Sequence, residues 1–376
     1  MLVFLRRVRP DAELACICSA PDRVERNFEL AAIRFGAPEP ARALLRGLDR
    51  LFFRGPHKLA SFIRAIGYAR TLDVLIIPGT GILDDFGEGP SGVPIVLFVW
   101  CLAARLCGTR IAFVSIGAGP IHHPISRWLM KSAAEMAQYR SYRDTVSREF
   151  MESIDFDTRH DWIYPDIAFK LPVPSSTRRH CSDHMPPTVG VGVMTYYGWR
   201  SDSTSGAAIY ETYIDRIVSF VVWLLDRGHP VRILMGDVAD RRAVGDVLRR
   251  IAIARPDLPR DRLRADPMQN LHDLMCQIVE TDIVVATRFH NVVCALKLGK
   301  PTVSIGYAEK NDVLMKSMGL GSFCQHVERL NLDLLTEQFT QLVAERSNYE
   351  KCIESTNLLY RRQLEQQDSL LASRLL

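Results

Sequence analysis

Several features that mark common protein classes are missing from this sequence. The nine cysteines form no C-x-x-C pair and follow no zinc-ligand spacing, which excludes the usual zinc frameworks. Most of them lie in apolar runs, where a free thiol behaves as a small hydrophobic group. This usage is typical of a reducing compartment, so we expect a cytoplasmic protein. No run reaches the roughly 20 apolar residues that a membrane-spanning helix needs.

A strong charge bias is missing as well. The net charge at pH 7 is only +4 and the basic residues are scattered, so no nucleic-acid partner is predicted. At the front, Arg6 and Arg7 follow the apolar residues instead of preceding them, so we expect no secretory signal. With 47% hydrophobic and 24% charged residues, the chain has an ordinary globular composition, and its 376 residues suit two domains.

Both halves of the chain alternate between short stretches of β-branched residues and longer stretches with helical periodicity. The strands that this pattern predicts are residues 13–18, 73–77, 110–116, 139–144, 162–166, 189–194, 231–235, 282–286 and 302–305. Because this alternation is typical of parallel sheets covered by helices, we predict an α/β protein. Its two doubly wound, Rossmann-like domains are expected to face each other across a cleft.

A proline-rich stretch separates the two predicted domains. Residues 173–187 read as a linker between a first domain, 1–172, and a second, 188–330, and residues 331–376 are predicted to form a helical tail. A doubly wound domain normally opens with a strand and a glycine turn, and the front of this chain shows neither. Two expectations follow: either the fold begins late in the chain, or the N-terminal domain lacks its first strand.

The most informative stretch is Thr287-Arg288-Phe289-His290, which joins a buried strand to a helix. Ligands of open α/β sheets bind at this carboxyl edge, where the helix N-terminus also attracts anions. Arg288 and His290 therefore predict an anion-binding or proton-donating site. The alternative is that both side chains only cap the helix and pair locally.

Two glycine loops follow consecutive predicted strands. The first glycine loop is Gly79-Thr80-Gly81 and the second glycine loop is Gly117-Ala118-Gly119. Glycines permit a positive φ and close approach of a ligand to the backbone, and loops on consecutive parallel strands face the same crevice. Asp84 occupies the third glycine position of the dinucleotide fingerprint, so a nicotinamide dehydrogenase is poorly supported.

A basic, helical segment spans residues 41–70. It contains one acidic residue, Asp49, and seven basic residues. The basic residues are Arg42, Arg46, Arg50, Arg54, Lys58, Arg64 and Arg70. A basic amphipathic segment can lie on an anionic membrane, so we predict peripheral contact with the inner face of the membrane. The alternative is the ordinary solvated face of domain helices.

These motifs, taken in order, resemble the polysaccharide pyruvyl transferase family. The matching features lie between Asp73 and Leu320: residues 78–84 and 116–120, Arg143-Asp144 with Ser147, Asp166 with Phe169, Arg288-Phe289-His290, and Tyr307 with Lys310. The resemblance implies the two-domain fold of many glycosyltransferases (glycosyltransferase-B-like). It also implies transfer of pyruvate from phosphoenolpyruvate onto two hydroxyls of a saccharide, sometimes a lipid-linked one, as a cyclic ketal.

Ketal formation from phosphoenolpyruvate requires a proton donor, a base and cations. His290 suits the donor, because the unperturbed pKa of histidine is about 6.5. Asp84, Asp144 and Asp166 are the candidate bases, or else partners that orient the cations, and Asp84 is the one predicted to be catalytic. The predicted substrate-binding residues, with acceptor on the first domain and phosphoenolpyruvate on the second, are Arg288, Lys310, Arg143, Tyr307, Asp166, Gly79, Gly81, Gly117 and Gly119. The scheme requires no metal and no cofactor.

Two other functions remain open at this point. A glycosyltransferase of the same architecture would use Arg288 and His290 to hold the diphosphate of a nucleotide sugar. A non-catalytic relic would bind the saccharide and release no phosphate.

Overall fold

The computed structural model describes residues 1–36, 55–85, 89–175, 186–198, 205–259 and 261–376, with the backbone alone for 55–58. Residues 41–54 of the basic segment and 176–185 of the predicted linker lie outside the described residues. Contacts divide the chain into two compact units. Unit 1 is Met1–Asp166 with Glu365–Leu376, and unit 2 is Ile167–Leu364. The domain limits predicted from the sequence stay predictions. Among the described helices, none has the length and apolar character needed to cross a bilayer.

Unit 1 contains a four-stranded parallel sheet in which the strands follow one another in chain order. The strands are β3 (Val74–Pro78), β4 (Arg110–Ile116), β5 (Tyr139–Tyr142) and β6 (Trp162–Ile163). The helices before and between them are α3 (Gly55–Ala69), α4 (Val93–Cys107), α5 (Pro124–Glu135) and α6 (Thr145–Ser153). Strand β4 forms the centre of the core because each of its residues from Ile111 to Ile116 is inaccessible to solvent.

The front of the chain forms a separate parallel pair, β1 (Ala15–Cys18) and β2 (Ala31–Arg34), beside α1 (Leu2–Val8) and α2 (Pro21–Phe28). Ile17 and Ile33 from this pair pack against the core of unit 1. In the described part of the chain the pair makes no hydrogen bonds to the four-stranded sheet, which begins with β3.

Unit 2 contains a six-stranded parallel sheet in the order β12–β11–β10–β7–β8–β9. The strands are β7 (Val189–Val193), β8 (Val231–Met235), β9 (Leu263–Ala265), β10 (Ile283–Ala286), β11 (Thr302–Gly306) and β12 (Cys324–His326). The helices are α7 (Ser205–Asp226), α8 (Arg241–Ala254), α9 (Leu271–Val279), α10 (Phe289–Lys297), α11 (Glu309–Ser317), α12 (Leu332–Ala344) and α13 (Arg346–Leu375). Counted within the unit, this order is 3-2-1-4-5-6, that of the Rossmann fold.

The strand order of unit 2 reverses between β7 and β10. Ligands of doubly wound sheets bind outside the carboxyl ends of the strands at such a reversal, because the connecting loops diverge there and leave a crevice. Both strands are fully buried, so the reversal lies in the middle of the unit.

Helix α13 belongs to both units, and its last residues complete the core of unit 1. The side chain of Gln367 donates hydrogen bonds to the hydroxyls of Ser115 (2.9 Å) and Ser141 (3.0 Å), in a fully buried cluster. Ser115 has a positive φ of 49° at an irregularity in the β4–β5 pairing. The cluster therefore holds strained backbone immediately before the second glycine loop.

Candidate active site

The residues that follow β10 turn sharply into α10 at the reversal of strand order. Arg288 is the N-cap residue, with an extended backbone (φ −70°, ψ 134°), and His290 is the second residue of the helix. The hydroxyl of Thr287, fully buried, lies 2.8 Å from the hydroxyl of Tyr213 and fixes the end of the strand. His290 is half-buried at the carboxyl edge, as the sequence predicted.

The neighbouring strand repeats this arrangement. Strand β11 pairs with β10 in parallel, and Lys310 is the second residue of α11, the position that His290 holds in α10. Lys310 Nζ lies 5.8 Å from the ring centre of Phe289 and 5.2 Å from that of Tyr307. The Phe289 ring is in turn 5.7 Å from the His290 ring. The structure thus brings an ammonium group, a phenol and an imidazole together at one sheet edge.

Arg288 lies at the same edge and is bound by a carboxylate that sequence reasoning missed. Its Nε and Nη2 donate to the two oxygens of Asp240 at 2.8 and 2.7 Å, and the Asp240 side chain is fully buried. Burial works against the charge of Arg288, but the hydrogen bonds and charge of Asp240 outweigh it and raise the pKa of the guanidinium. Asp240 thus fixes the position of the guanidinium through two of its nitrogens, Nε and Nη2.

Asp240 also accepts a hydrogen bond from the Thr195 backbone N–H (2.9 Å), so it links the loops after β7 and β8 to Arg288. The available signal was its position a few residues after Gly236-Asp237, at the predicted end of β8. Which loop meets Arg288 depends on the strand order, which the local pattern does not encode.

Two strand-end glycines let α10 approach the sheet closely. A Cβ at Gly192 would lie 2.5 Å from Asn291 Nδ2, and a Cβ at Gly236 would overlap Asn291 Oδ1. Gly236 also leaves space for the Arg288 side chain. Asn291 is fully buried, and its amide has no hydrogen-bond partner among the described residues.

A second tyrosine flanks this edge. The Tyr196 ring centre is 6.1 Å from that of Tyr307, and the Tyr196 hydroxyl donates to Glu328 Oε1 at 2.7 Å. Burial, then the hydrogen bond to Glu328, raise the pKa of Tyr196, so its hydroxyl stays protonated. We call Arg288, His290, Tyr307, Lys310 and Tyr196 the unit 2 edge cluster.

In unit 1 the two glycine loops are joined by backbone hydrogen bonds. The Gly117 N–H donates to Thr80 O at 2.8 Å, and the Gly119 N–H donates to Leu83 O at 3.0 Å. Gly79 has a positive φ of 46°, a conformation that favours glycine. The two loops therefore lie at the same edge of the sheet, and the crevice that they were expected to line stays a prediction.

The second glycine loop encloses the side chain of Arg143. A Cβ at Gly117 would lie 2.6 Å from Arg143 Nη2, so any larger residue there would require the guanidinium to move. Arg143 is only 8% exposed, and its Nη1 donates to Asp166 Oδ2 at 3.1 Å while its Nε lies 3.6 Å from Asp144 Oδ2. Close packing of the chain's own arginine is thus one reason for the glycine. Substrate contacts of Arg143 and Asp166 stay predictions.

Asp84 lies against both glycine loops of unit 1. Its Oδ2 would be 3.4 Å from a Cβ at Gly81, and its Cβ would be 3.2 Å from one at Gly119. Asp84 and Arg143 therefore meet the same loops, Asp84 half-buried and Arg143 buried. Whether Asp84 acts as a base remains a prediction. The described residues contain no cluster of three or more His, Cys, Asp or Glu side chains that could hold a metal ion.

Comparison with solved structures identifies the fold. The crystal structure of UDP-GlcNAc 2-epimerase from Neisseria meningitidis matches with a TM-score of 0.58 at 12% identity, covering 97% of this chain and 96% of the epimerase chain. MurG from Acinetobacter baumannii matches with a TM-score of 0.51 at 11% identity, covering 92% of this chain and 88% of the MurG chain. Both are glycosyltransferase-B-like, which confirms the predicted fold class.

The family follows from the sequence itself. A search of curated proteins finds no significant match. The model of the polysaccharide pyruvyl transferase family matches residues 1–309, so the chain belongs to that family.

Proposed function

We propose that the protein transfers pyruvate from phosphoenolpyruvate to two hydroxyls of a saccharide, forming a cyclic ketal during the biosynthesis of a surface polysaccharide. Family membership supports the class of reaction. The observation that carries the donor site is the matched placement of His290 and Lys310, each the second residue of a helix that follows one of two paired strands.

The charges of the unit 2 edge cluster suit a small molecule with two anionic groups. The N-termini of α10 and α11 each present backbone N–H groups and the positive end of a helix dipole. Lys310 adds an ammonium charge, which the ring faces of Phe289 and Tyr307 stabilise. Arg288 adds a guanidinium that Asp240 holds in place. We assign the phosphate and the carboxylate of phosphoenolpyruvate to these groups.

The proposed reaction begins with proton transfer from the His290 imidazolium to the methylene carbon of phosphoenolpyruvate, which becomes the methyl group. One saccharide hydroxyl attacks the resulting cationic carbon and loses its proton to a base, for which Asp84 is the candidate. The carbon–oxygen bond to phosphate then breaks, and the second hydroxyl adds and loses its proton. One of the two hydroxyl protons restores the acid and the other leaves with phosphate, so atoms and charge balance.

The test measures phosphate release from phosphoenolpyruvate with a panel of saccharides, and detects the ketal by the added mass of pyruvate less one water. We expect His290→Ala to lower kcat by about 10²–10⁴-fold, the usual contribution of a general acid. We expect Lys310→Met mainly to raise KM. His272→Ala, which removes an exposed histidine of α9, is the matched control. Turnover by His290→Ala close to that of the control would refute the role of His290.

A nucleotide-sugar glycosyltransferase is the second candidate, favoured by the Rossmann strand order of unit 2, whose reversal suits a diphosphate. Thermal-shift measurements separate the two, because a ligand stabilises the protein that binds it. Stabilisation by phosphoenolpyruvate supports the first function. Stabilisation by a nucleoside diphosphate, with none by phosphoenolpyruvate, supports the second.

A further inference from the structure

The outer side of α4 in unit 1 is as apolar as its inner side. Pro94, Leu97, Trp100, Cys101 and Ala104 are buried in the core. At 100° per residue, Ile95, Leu102 and Leu106 fall on the opposite side of the helix, with Phe98 next to them. Leu106 is 64% exposed, and the other three are partly exposed. A helix with apolar residues on all sides is normally buried in a protein core or in a membrane. The exposed apolar side of α4 therefore indicates a surface that another molecule or a membrane covers.

The two helices that pack against α4 extend the apolar surface. The Trp128 ring of α5 lies 5.4 Å from the Phe98 ring, and Trp128 and its neighbour Ile125 are 59% and 55% exposed. On α3, which packs against α4 as well, Leu59 and Ile63 are 60% and 62% exposed. We call the outward side of α3, α4 and α5 the helical face of unit 1.

The three helices of the helical face also carry a net positive charge, and three of their basic side chains, Arg64, Arg127 and Lys131, donate hydrogen bonds to backbone carbonyls of unit 1. The described side chains of these three helices include four basic residues and one acidic residue, Arg64, Arg105, Arg127, Lys131 and Glu135. Exposed leucine, isoleucine and tryptophan among basic residues suit the interface of an anionic bilayer, where apolar groups enter the headgroup boundary and cations meet lipid phosphates. Tryptophan is the side chain that this interface favours most.

We infer that the helical face of unit 1 docks on the surface of an anionic membrane, with Trp128, Leu106 and Ile63 entering the headgroup region. The charge balance favours this occupant over a second copy of the chain, because two such faces would repel each other. The inference is independent of the donor chemistry in unit 2. Its consequence is that the enzyme acts at the bilayer, where a lipid-linked acceptor would be available.

The test is co-sedimentation of the full chain with vesicles of phosphatidylcholine, with and without phosphatidylglycerol. We expect binding only to the anionic vesicles, weakened by salt, and at least about tenfold weaker for the double variant Trp128→Glu/Leu106→Glu. Ile253→Glu is the matched control, because Ile253 is 76% exposed on α8 of unit 2. We expect it to bind as the unmodified protein does.

Three results would overturn the inference: no binding to anionic vesicles, equal loss in Ile253→Glu, or a dimer that Trp128→Glu/Leu106→Glu dissociates while vesicle binding is unchanged. Phosphate release with a soluble saccharide is measured in parallel. Because the replaced side chains are exposed and lie outside the edge cluster, this activity should not change. A failure of vesicle binding is thereby distinguished from a failure of the proposed reaction.

Discussion

Replacing Asp240 by asparagine and Arg288 by methionine, singly and together, measures how strongly the buried carboxylate holds the guanidinium. Their two hydrogen bonds are 2.8 and 2.7 Å long, and the Asp240 side chain is fully buried. Two unit charges about 4 Å apart attract each other by about 4 kcal/mol at an effective dielectric constant near 20. Because Arg288 is 21% exposed, part of this is screened, and we expect a coupling energy of about 2–3 kcal/mol.

The assay is hydrogen exchange in increasing denaturant, read by mass spectrometry on peptides that cover β10 and α10, so that unit 2 is followed by itself. The control cycle uses Arg250→Met and Asp215→Asn, an ion pair on more exposed helix surfaces, for which we expect a coupling below about 1 kcal/mol. Additive effects of the Asp240 and Arg288 changes, within about 0.5 kcal/mol, would refute the reasoning.

Three further predictions concern single positions. In denaturant titrations, Gly117→Ala should destabilise unit 1 by about 2 kcal/mol, because the added Cβ would lie 2.6 Å from the buried guanidinium of Arg143. Gly67→Ala is the control: Gly67 lies in a helix with open space beside it, so this change should stabilise unit 1 by about 0.5–1 kcal/mol. Burial lowers the pKa of His229 below its ordinary value. The neutral ring therefore stabilises the fold above about pH 6.5, and this stabilisation is lost on acidification. In melting curves, His229→Asn should lose less stability on acidification than the unmodified protein. Gln367→Leu should cost unit 1 about 1–3 kcal/mol in the same titrations, because it leaves the buried hydroxyl of Ser115 without its partner.

The sequence predicted every strand of the two larger sheets that has four or more residues. Strands β4, β8 and β10 lie within one residue of the predicted ranges. The short edge strands β9 and β12 were missed, because three residues carry no periodicity and each pairs with a single neighbour. Their existence depends on the sheet beside them and not on local preference.

The candidate site was predictable where one strand and the helix after it position the side chain. Arg288, His290 and Lys310 are of this kind, since parallel strands end at the same edge of a sheet. Asp240 was not, because its contact with Arg288 spans 48 residues and requires β8 to lie next to β7. The sequence also could not show that Gly117 makes space for Arg143 of the same chain. A glycine indicates that some group approaches the backbone closely, but it does not indicate which group.

The contribution of α13 to unit 1 bears on how the chain folds during synthesis. Gln367 meets Ser115 across 252 residues, whereas unit 2 is one continuous segment. Domains usually fold in order as they leave the ribosome. Here Ser115 and Ser141 gain their buried hydrogen-bond partner only after all of unit 2 has been translated, so the core of unit 1 is completed later than the position of its strands in the chain suggests.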